Sequence, residues 1–402
     1  MLSPLDDHPV HQIAEVVRHV ATSDRNFYDR YYFNCHPADE SWFLLVGVGQ
    51  YPNLGVKDAF AALRRGDEHV VVRSSAALGA DRMDTRVGPL WVEVLEGLRR
   101  LRVVCEPTDG LGFDLTFTGT VPATLEPRHF HRQLERVTFD TQRFVQTGHW
   151  EGTLVLDGAE QVVTPETGRG NRDRSWGVRP VGEAEPPGRR ADPAEAESGT
   201  FFWIYAVAQF EDFSVYVVIQ EDAAGRRIVE DAMRVWREGR GPAAVGESPA
   251  AGGGGPATGE CGPAEPEWLG RPEHAVRFTP GTRSAEGMRM EFVRPGGGRT
   301  VLEAEVRLPH LLGLGTGYGL EPDWRHGMWQ GREVTQSVRH HVPDVDPVTV
   351  NFCPVDNLAR FTLTEETGEE TAVAEGSGLF EIAAIGPHAG YGFADYMDGY
   401  RP

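Results

Sequence analysis

What most constrains this chain is a recurring texture. From Phe27 onward, short runs of aromatic and β-branched residues are cut again and again by Gly, Pro, Asn and Asp. Each run is too short for a stable helix and rich in the residue types that fit a pleated, half-buried surface. The turn signals return about every 8–12 residues, the spacing of antiparallel sandwiches and barrels. The pattern predicts strands over Arg30–Asn34, Ser41–Gln50, Leu90–Glu96, Leu101–Glu106, Gly112–Thr118 and Gly148–Leu156. DAFAALRRGDEHVVVRSS reads as two more, turned at Arg65-Gly66-Asp67. A second series opens with TFFWIYAVAQF and FSVYVVIQED around Glu211-Asp212, and continues through Arg227–Arg237, Ala275–Thr279, Gly287–Val293 and Thr300–Leu308. Near the N-terminus, PVHQIAEVVRHV (residues 9–20) instead places Ile13, Val16, Val17 and Val20 at helical spacing, which predicts a short amphipathic helix.

Length then divides the pattern. A chain of 402 residues exceeds the roughly 250–300 at which one core stops growing. With 40% hydrophobic residues, 9 Trp, 10 Tyr and 19 Phe, it can fill two cores. The expected fold is all-β: two consecutive antiparallel barrel-like domains, residues 1–190 and 191–402, with few short helices. A barrel of about eight strands is just wide enough to hold one small apolar ligand. Residues 181–198, rich in Pro, Glu and Ala, read as a linker or exposed loop, and 239–267 as a disordered surface loop of low complexity.

Charge and motifs exclude several functions. A net charge of −21 argues against nucleic acid and anionic membranes as partners. No run approaches the ~18 apolar residues of a spanning helix, and the first residues do not read as a secretion signal. Cys35, Cys105, Cys261 and Cys353 stand far apart, as free thiols do, so a cytoplasmic location is expected, with one bridge left open. The glycine run 251–259 lacks the Lys-Ser/Thr of a phosphate loop, and GLGTGYGLEPDW lacks the βαβ setting of a dinucleotide site. There is no G-x-S-x-G elbow. His129 and His131 would share a strand face, but no third ligand stands at a convincing spacing; His340 and His341 would face opposite ways. No metal and no cofactor are expected.

The chemistry concentrates in GRGNRDRSWGVRP, Gly168 to Pro180. Arg172, Asp173, Arg174, Ser175, Trp176 and Arg179 lie among glycines that permit positive φ or a close backbone approach. If the segment points inward, Asp173 is either paired with an arginine or pushed up in pKa, because an unpaired buried charge is not tolerated. An Asp–Arg pair with a Trp packed on it, stitching two subdomains, fits these residues as well as a site does. WRHGMWQG adds His326 beside Trp324 and Trp329, as a pocket rim or as ordinary core.

The early aromatic element Arg30-Tyr31-Tyr32-Phe33 and the later Asp173-Arg174-Ser175-Trp176-Gly177 resemble the carotenoid 1,2-hydratase and AttH-like superfamily. The order of segments resembles proteins with a DUF7065-type first half and a DUF7064-type second half. The resemblance implies two joined lipocalin-like barrels, with a pocket between them in which terpenoid double bonds are hydrated or polyenes cyclised. Arg174 stands where the family often has histidine, and arginine cannot serve as a general acid near neutral pH.

Two functions follow from the resemblance. In one, the protein is a cofactor-independent hydratase, isomerase or cyclase acting on a lipophilic terpenoid-, steroid- or polyketide-like molecule. Asp173 would move a proton and Arg179 would orient it or hold an oxyanion, while Trp176, Ser175, Tyr32, His326 and Trp324 would contact substrate. In the other it is a non-catalytic carrier of such a ligand. The discriminating feature is whether Asp173 faces a cavity or is satisfied by arginines. The ligand's identity and any homo-oligomer are left open.

Overall fold

The computed structural model describes residues 2–180, 200–241, 265–293, 298–319, 321–367 and 370–401. The first half forms β1 (Phe27–Pro37), β2 (Phe43–Tyr51), β3 (Val56–Arg65), β4 (Glu68–Ala77), β5 (Leu90–Glu96), β6 (Arg100–Thr108), β7 (Leu111–Gly119), the short β8 (Thr124–Leu125) and β9 (His129–Gln133), and the long β10 (Arg136–Leu156) and β11 (Ala159–Val178). The second half forms β12 (Phe201–Gln209), β13 (Phe213–Glu221), β14 (Arg227–Trp236), β15 (Glu267–Trp268), β16 (Arg271–Phe278), β17 (Ala285–Val293), β18 (Arg299–Leu311), β19 (Glu333–His341), β20 (Val355–Thr367) and β21 (Glu370–Ile385). The fold is all-β, as the turn spacing predicts, and the strands pair antiparallel in two sheets.

The first sheet runs β19-β4-β3-β2-β1-β11-β10-β7-β6-β5, with β8 and β9 attached to β10. The second runs β15-β14-β13-β12-β21-β20-β18-β17-β16. Thus β19, from the second half of the chain, returns to complete the edge of the first sheet. It is held there by the Ser74 and Thr335 hydroxyls at 2.9 Å and by Arg73 donating to Gln336.

Strand alternation separates three cores. On β1 and β2, Phe33, Cys35, Leu44, Val46 and Val48 point into the first sheet's own core. Their neighbours Tyr32, Phe43 and Leu45 point the other way, into a core shared with Trp203, Tyr205, Val207, Tyr216 and Val218 of the second sheet. The second sheet keeps its own core around Phe202, Ile204, Phe278, Met290 and Phe361. Because β2 is buried on both faces, FLLVGVGQY reads as an unbroken apolar run rather than an alternation.

The expected helix over residues 9–20 is absent. The Asp6 carboxylate takes the Val17 N–H and the Ser3 N–H, each at 2.7 Å, and His11 Nε2 lies 3.0 Å from it. This wraps the segment around one side chain, and the helical spacing of four apolar residues does not overcome it. Among the described residues the helices are short 3₁₀ turns at Pro4–Asp7, Val342–Asp344, Pro347–Asn351 and Ala389–Tyr391. No helix among them is long and apolar enough to cross a membrane. The expected linker at 181–198 and most of the expected loop at 239–267 lie outside the described residues; the end of the latter, Glu267, pairs in β15.

Candidate active site

A cavity of about 540 Å³ lies where the two sheets face each other. Alternation brings Tyr28, Arg30 and Tyr32 to it from β1, Phe139, Thr141 and Arg143 from β10, and Asp173 and Ser175 from β11. In register, Tyr32 stands opposite Asp173, and Ser175 lies between Arg30 and Arg143. The second sheet contributes Phe201 and Trp203, Val218, Val229, and Glu381 and Ile385. The glycine-rich connection after β18 contributes Tyr318, Arg325 and His326.

The same alternation splits the Gly168–Pro180 motif. Asp173 and Ser175 face the cavity, whereas Arg172, Arg174 and Trp176 face the other way. Arg174 pairs with Asp29 and lies 4.1 Å over Tyr31. Arg172 donates to Gln146 at 2.9 Å. Trp176 is 36% exposed, packs edge-on against Phe144, and is not part of the cavity wall. Trp324 also lies outside the wall, buried beneath the Arg73 guanidinium at 4.3 Å.

The cavity's charges fall into satisfied and unsatisfied sets. In the satisfied set, Arg143 donates to Glu126 Oε2 at 2.7 and 2.5 Å, the Tyr205 hydroxyl donates to Glu126 Oε1 at 2.7 Å, and Arg143 stacks 4.2 Å over Tyr205. Arg30 is partly tied: Nη1 donates to the Tyr51 hydroxyl at 2.7 Å and to Asp58 at 3.3 Å, while buried Nε and Nη2 find no acceptor among the described residues. Gly47 makes room for it, since a Cβ there would stand 2.4 Å from Arg30 Nη2.

Asp173 has no hydrogen bond or ion pair to any described residue. Burial pushes its carboxyl up to about 6, Glu126 adds to the rise, and Arg143, Arg179 and Arg30 pull it back. Arg179 lies 4.4 Å over the Tyr28 ring and pairs with no carboxylate of the described residues. Glu381 is pushed up to about 7, first by burial and then by Asp173, against Arg143 and Arg179. Asp356, fully buried behind the wall, is held well above the usual carboxylate range by burial and by Glu381; it accepts from the Tyr32 hydroxyl at 2.5 Å. His326 Nε2 lies 2.9 Å from the Thr316 carbonyl, so it carries the proton and leaves Nδ1 as an acceptor. Burial and the nearby Arg30 and Arg179 keep that ring neutral.

The structure therefore gathers Asp173, Ser175, Arg179, Tyr32 and His326 in one wall, and leaves Trp176 and Trp324 outside it. Glu126, Arg143, Arg30, Glu381 and Asp356 escape sequence reasoning because they come from separate strands and connections that only the tertiary register brings to one cavity. The one local signal is a charge inside an apolar strand run, as in GLFEIAAI and PVDNLARF. Among the described residues no three His, Cys, Asp or Glu side chains form a set able to hold a metal.

A single family covers this two-sheet chain: it belongs to a family of unknown function, DUF8625, whose model matches residues 2–394. That is a different family from the DUF7065 and DUF7064 types that the order of segments resembles. No curated protein matches the chain. Among solved structures, it is similar to kievitone hydratase from Nectria haematococca, at 12% identity over 88% of each chain and a TM-score of 0.48. It is similar to an AttH-like protein from Nitrosomonas europaea, at 12% identity over 96% of this chain and 100% of that one, with a TM-score of 0.49. It is also similar to CghA bound to Sch210972, at 11% identity over 90% and 89% of the two chains, with a TM-score of 0.48.

Proposed function

We propose that this protein binds a lipophilic terpenoid-, steroid- or polyketide-like molecule in the cavity between its two sheets and transforms it by acid–base chemistry without a cofactor. Hydration, isomerisation and cyclisation are the reactions this reading covers. Residues 1–190 and 191–402 act in it as two domains that each supply part of the wall. The carrying observation is Asp173: it faces the cavity, has no partner among the described residues, and is raised to about 6, so both of its protonation states are accessible near neutral pH.

The other roles follow from placement. Arg179, a cation without a carboxylate partner among the described residues, orients Asp173 or holds a developing oxyanion. Phe139, Phe201, Trp203, Val218, Val229 and Ile385 offer the apolar surface for the ligand body. Ser175, Tyr32 and His326 supply the few polar groups that fix its orientation. Trp176 and Trp324 support the wall from outside. Cys35, Cys105 and Cys353 are buried free thiols, which suits a cytoplasmic protein.

A carrier is the second reading. It needs the apolar surface, but gains nothing from an unpaired carboxyl facing it, whose desolvation costs stability. The two readings separate in a thermal-shift screen over terpenoids, sterols and aromatic polyketides, followed by product analysis on whatever ligand raises the melting temperature. A ligand that binds tightly and is recovered unchanged supports the carrier.

A further inference from the structure

A pair of acids at the floor of the cavity carries the argument further. Asp356 on β20 and Glu381 on β21 stand directly opposite in the ladder, and neither forms an ion pair with any described residue. Directly opposite residues have Cβ atoms about 5 Å apart, so their carboxyls meet. Asp356 is fully buried; Oδ2 takes the Tyr32 hydroxyl and Oδ1 meets no donor among the described residues. Two adjacent buried carboxylates cannot both stay ionised. One proton held between them gives the orphaned oxygen its partner.

Resting on the acid–base reading above, we propose that Asp356 and Glu381 share one proton and that Glu381, which alone of the two lines the cavity, delivers it to a carbonyl-bearing unsaturated substrate while Asp173 is the base. The arginines decide the substrate class. Arg30, Arg143 and Arg179 all line the cavity. Arg143 is compensated by Glu126 and Arg30 by Asp58, so Arg179 is the one of the three without a carboxylate partner among the described residues, and a cation so placed disfavours a carbocation and favours an enolate. The Asp173 carboxylate takes a proton from the carbon beside the carbonyl: the C–H bond breaks and its electrons pass to the oxygen, held by Arg179. The enolate electrons then form a new C–H bond at a remote carbon with the Glu381 proton, and the double bond shifts. The proton on Asp173 returns to the Asp356–Glu381 pair, relieving its second charge. No co-reactant is consumed. Asp356, out of reach of the substrate, is a positioning residue. The titratable and charged groups around the pair are Tyr32 on β1, Arg143 on β10, Asp173 on β11, Arg179 beyond it, Tyr205 opposite Glu381 on β12, His310 opposite Asp356 on β18, Tyr318, and the Cys353 thiol.

The test has two arms, both on the full chain. Infrared spectroscopy at pH 8, where Asp173 is ionised, is expected to reveal a protonated-carboxyl band. That band persists in Asp173→Asn and disappears in the doubly substituted Asp356→Asn, Glu381→Gln protein, whose melting transition verifies folding. Its absence from the unsubstituted protein, or its persistence in the double variant, overturns the shared proton. In the second arm the probe is a β,γ-unsaturated steroid ketone, followed by its conjugation. Glu381→Gln should lower turnover by about 10²–10⁴-fold. Asp356→Asn should lower it less and move the basic limb of the pH profile to lower pH, which a merely structural role would not do. Loss of turnover in Asp173→Asn with full turnover in Glu381→Gln overturns delivery by Glu381 while leaving the acid–base reading intact. A probe inert to the unsubstituted protein contradicts the carbonyl substrate class.

Discussion

At the scale of single residues, the cavity sets two kinds of charge side by side, and they should respond to substitution in opposite ways. Arg143 and Glu126 form a satisfied, buried pair. Removing only the cation with Arg143→Met leaves Glu126 uncompensated and should cost roughly 3–5 kcal/mol, read as a lower denaturation midpoint. Adding Glu126→Gln to that variant should recover part of the loss. Asp173 has no such partner, so Asp173→Asn should leave the fold intact. The Asp173-Arg174-Ser175-Trp176 string was legible as chemically loaded, but not as a cluster. On a strand, adjacent side chains point to opposite faces, so Trp176 and the flanking arginines leave the cavity that Asp173 and Ser175 enter. Its true neighbours, Glu126, Arg143 and Glu381, are set by tertiary register, which no local spacing encodes.

At the scale of elements, β11 is the hinge of the account, because it sits between β1 and β10 and carries Asp173. Its Gly177 has φ of +127°, and a Cβ there would meet the Asp140 carbonyl oxygen at 2.0 Å. Gly177→Ala should therefore destabilise by about 1–3 kcal/mol. Gly79→Ala, where a Cβ meets nothing, should be near neutral in the same denaturation experiment. Strands were readable because aromatic and β-branched runs have few alternatives between close turn signals. The false helix over residues 9–20 arose because periodicity takes no account of one carboxylate, Asp6, collecting two backbone N–H groups. The return of β19 to the first sheet was invisible, since a strand's sequence does not name its partner.

At the scale of the whole molecule, the raised acids make stability depend on pH in a defined direction. Glu381 and Asp173, with folded values near 7 and 6 against ordinary values of 4.5 and 3.8, bind protons more tightly in the folded state. Their contribution is complete below the ordinary values and is lost as pH rises through 6 and 7. Glu221, lowered to about 2 by hydrogen bonds from His274 and His388 against its burial, acts oppositely: its contribution is present above 4.5 and is lost as pH falls toward 2. Melting temperature should thus fall on both sides of a mildly acidic optimum. The decline between pH 5 and 7 should flatten in the doubly substituted Asp173→Asn, Glu381→Gln protein, measured by scanning calorimetry against the unsubstituted chain.

The most direct test of the central claim, that Asp173 moves a proton in the cavity between the two sheets, is turnover and melting temperature measured together on Asp173→Asn, with a ligand found by thermal shift. The account predicts a melting temperature at pH 7 no lower than that of the unsubstituted chain, retained binding, and turnover lower by about 10²–10⁴-fold. An unfolded variant, or one that turns the same ligand over at the original rate, would contradict it.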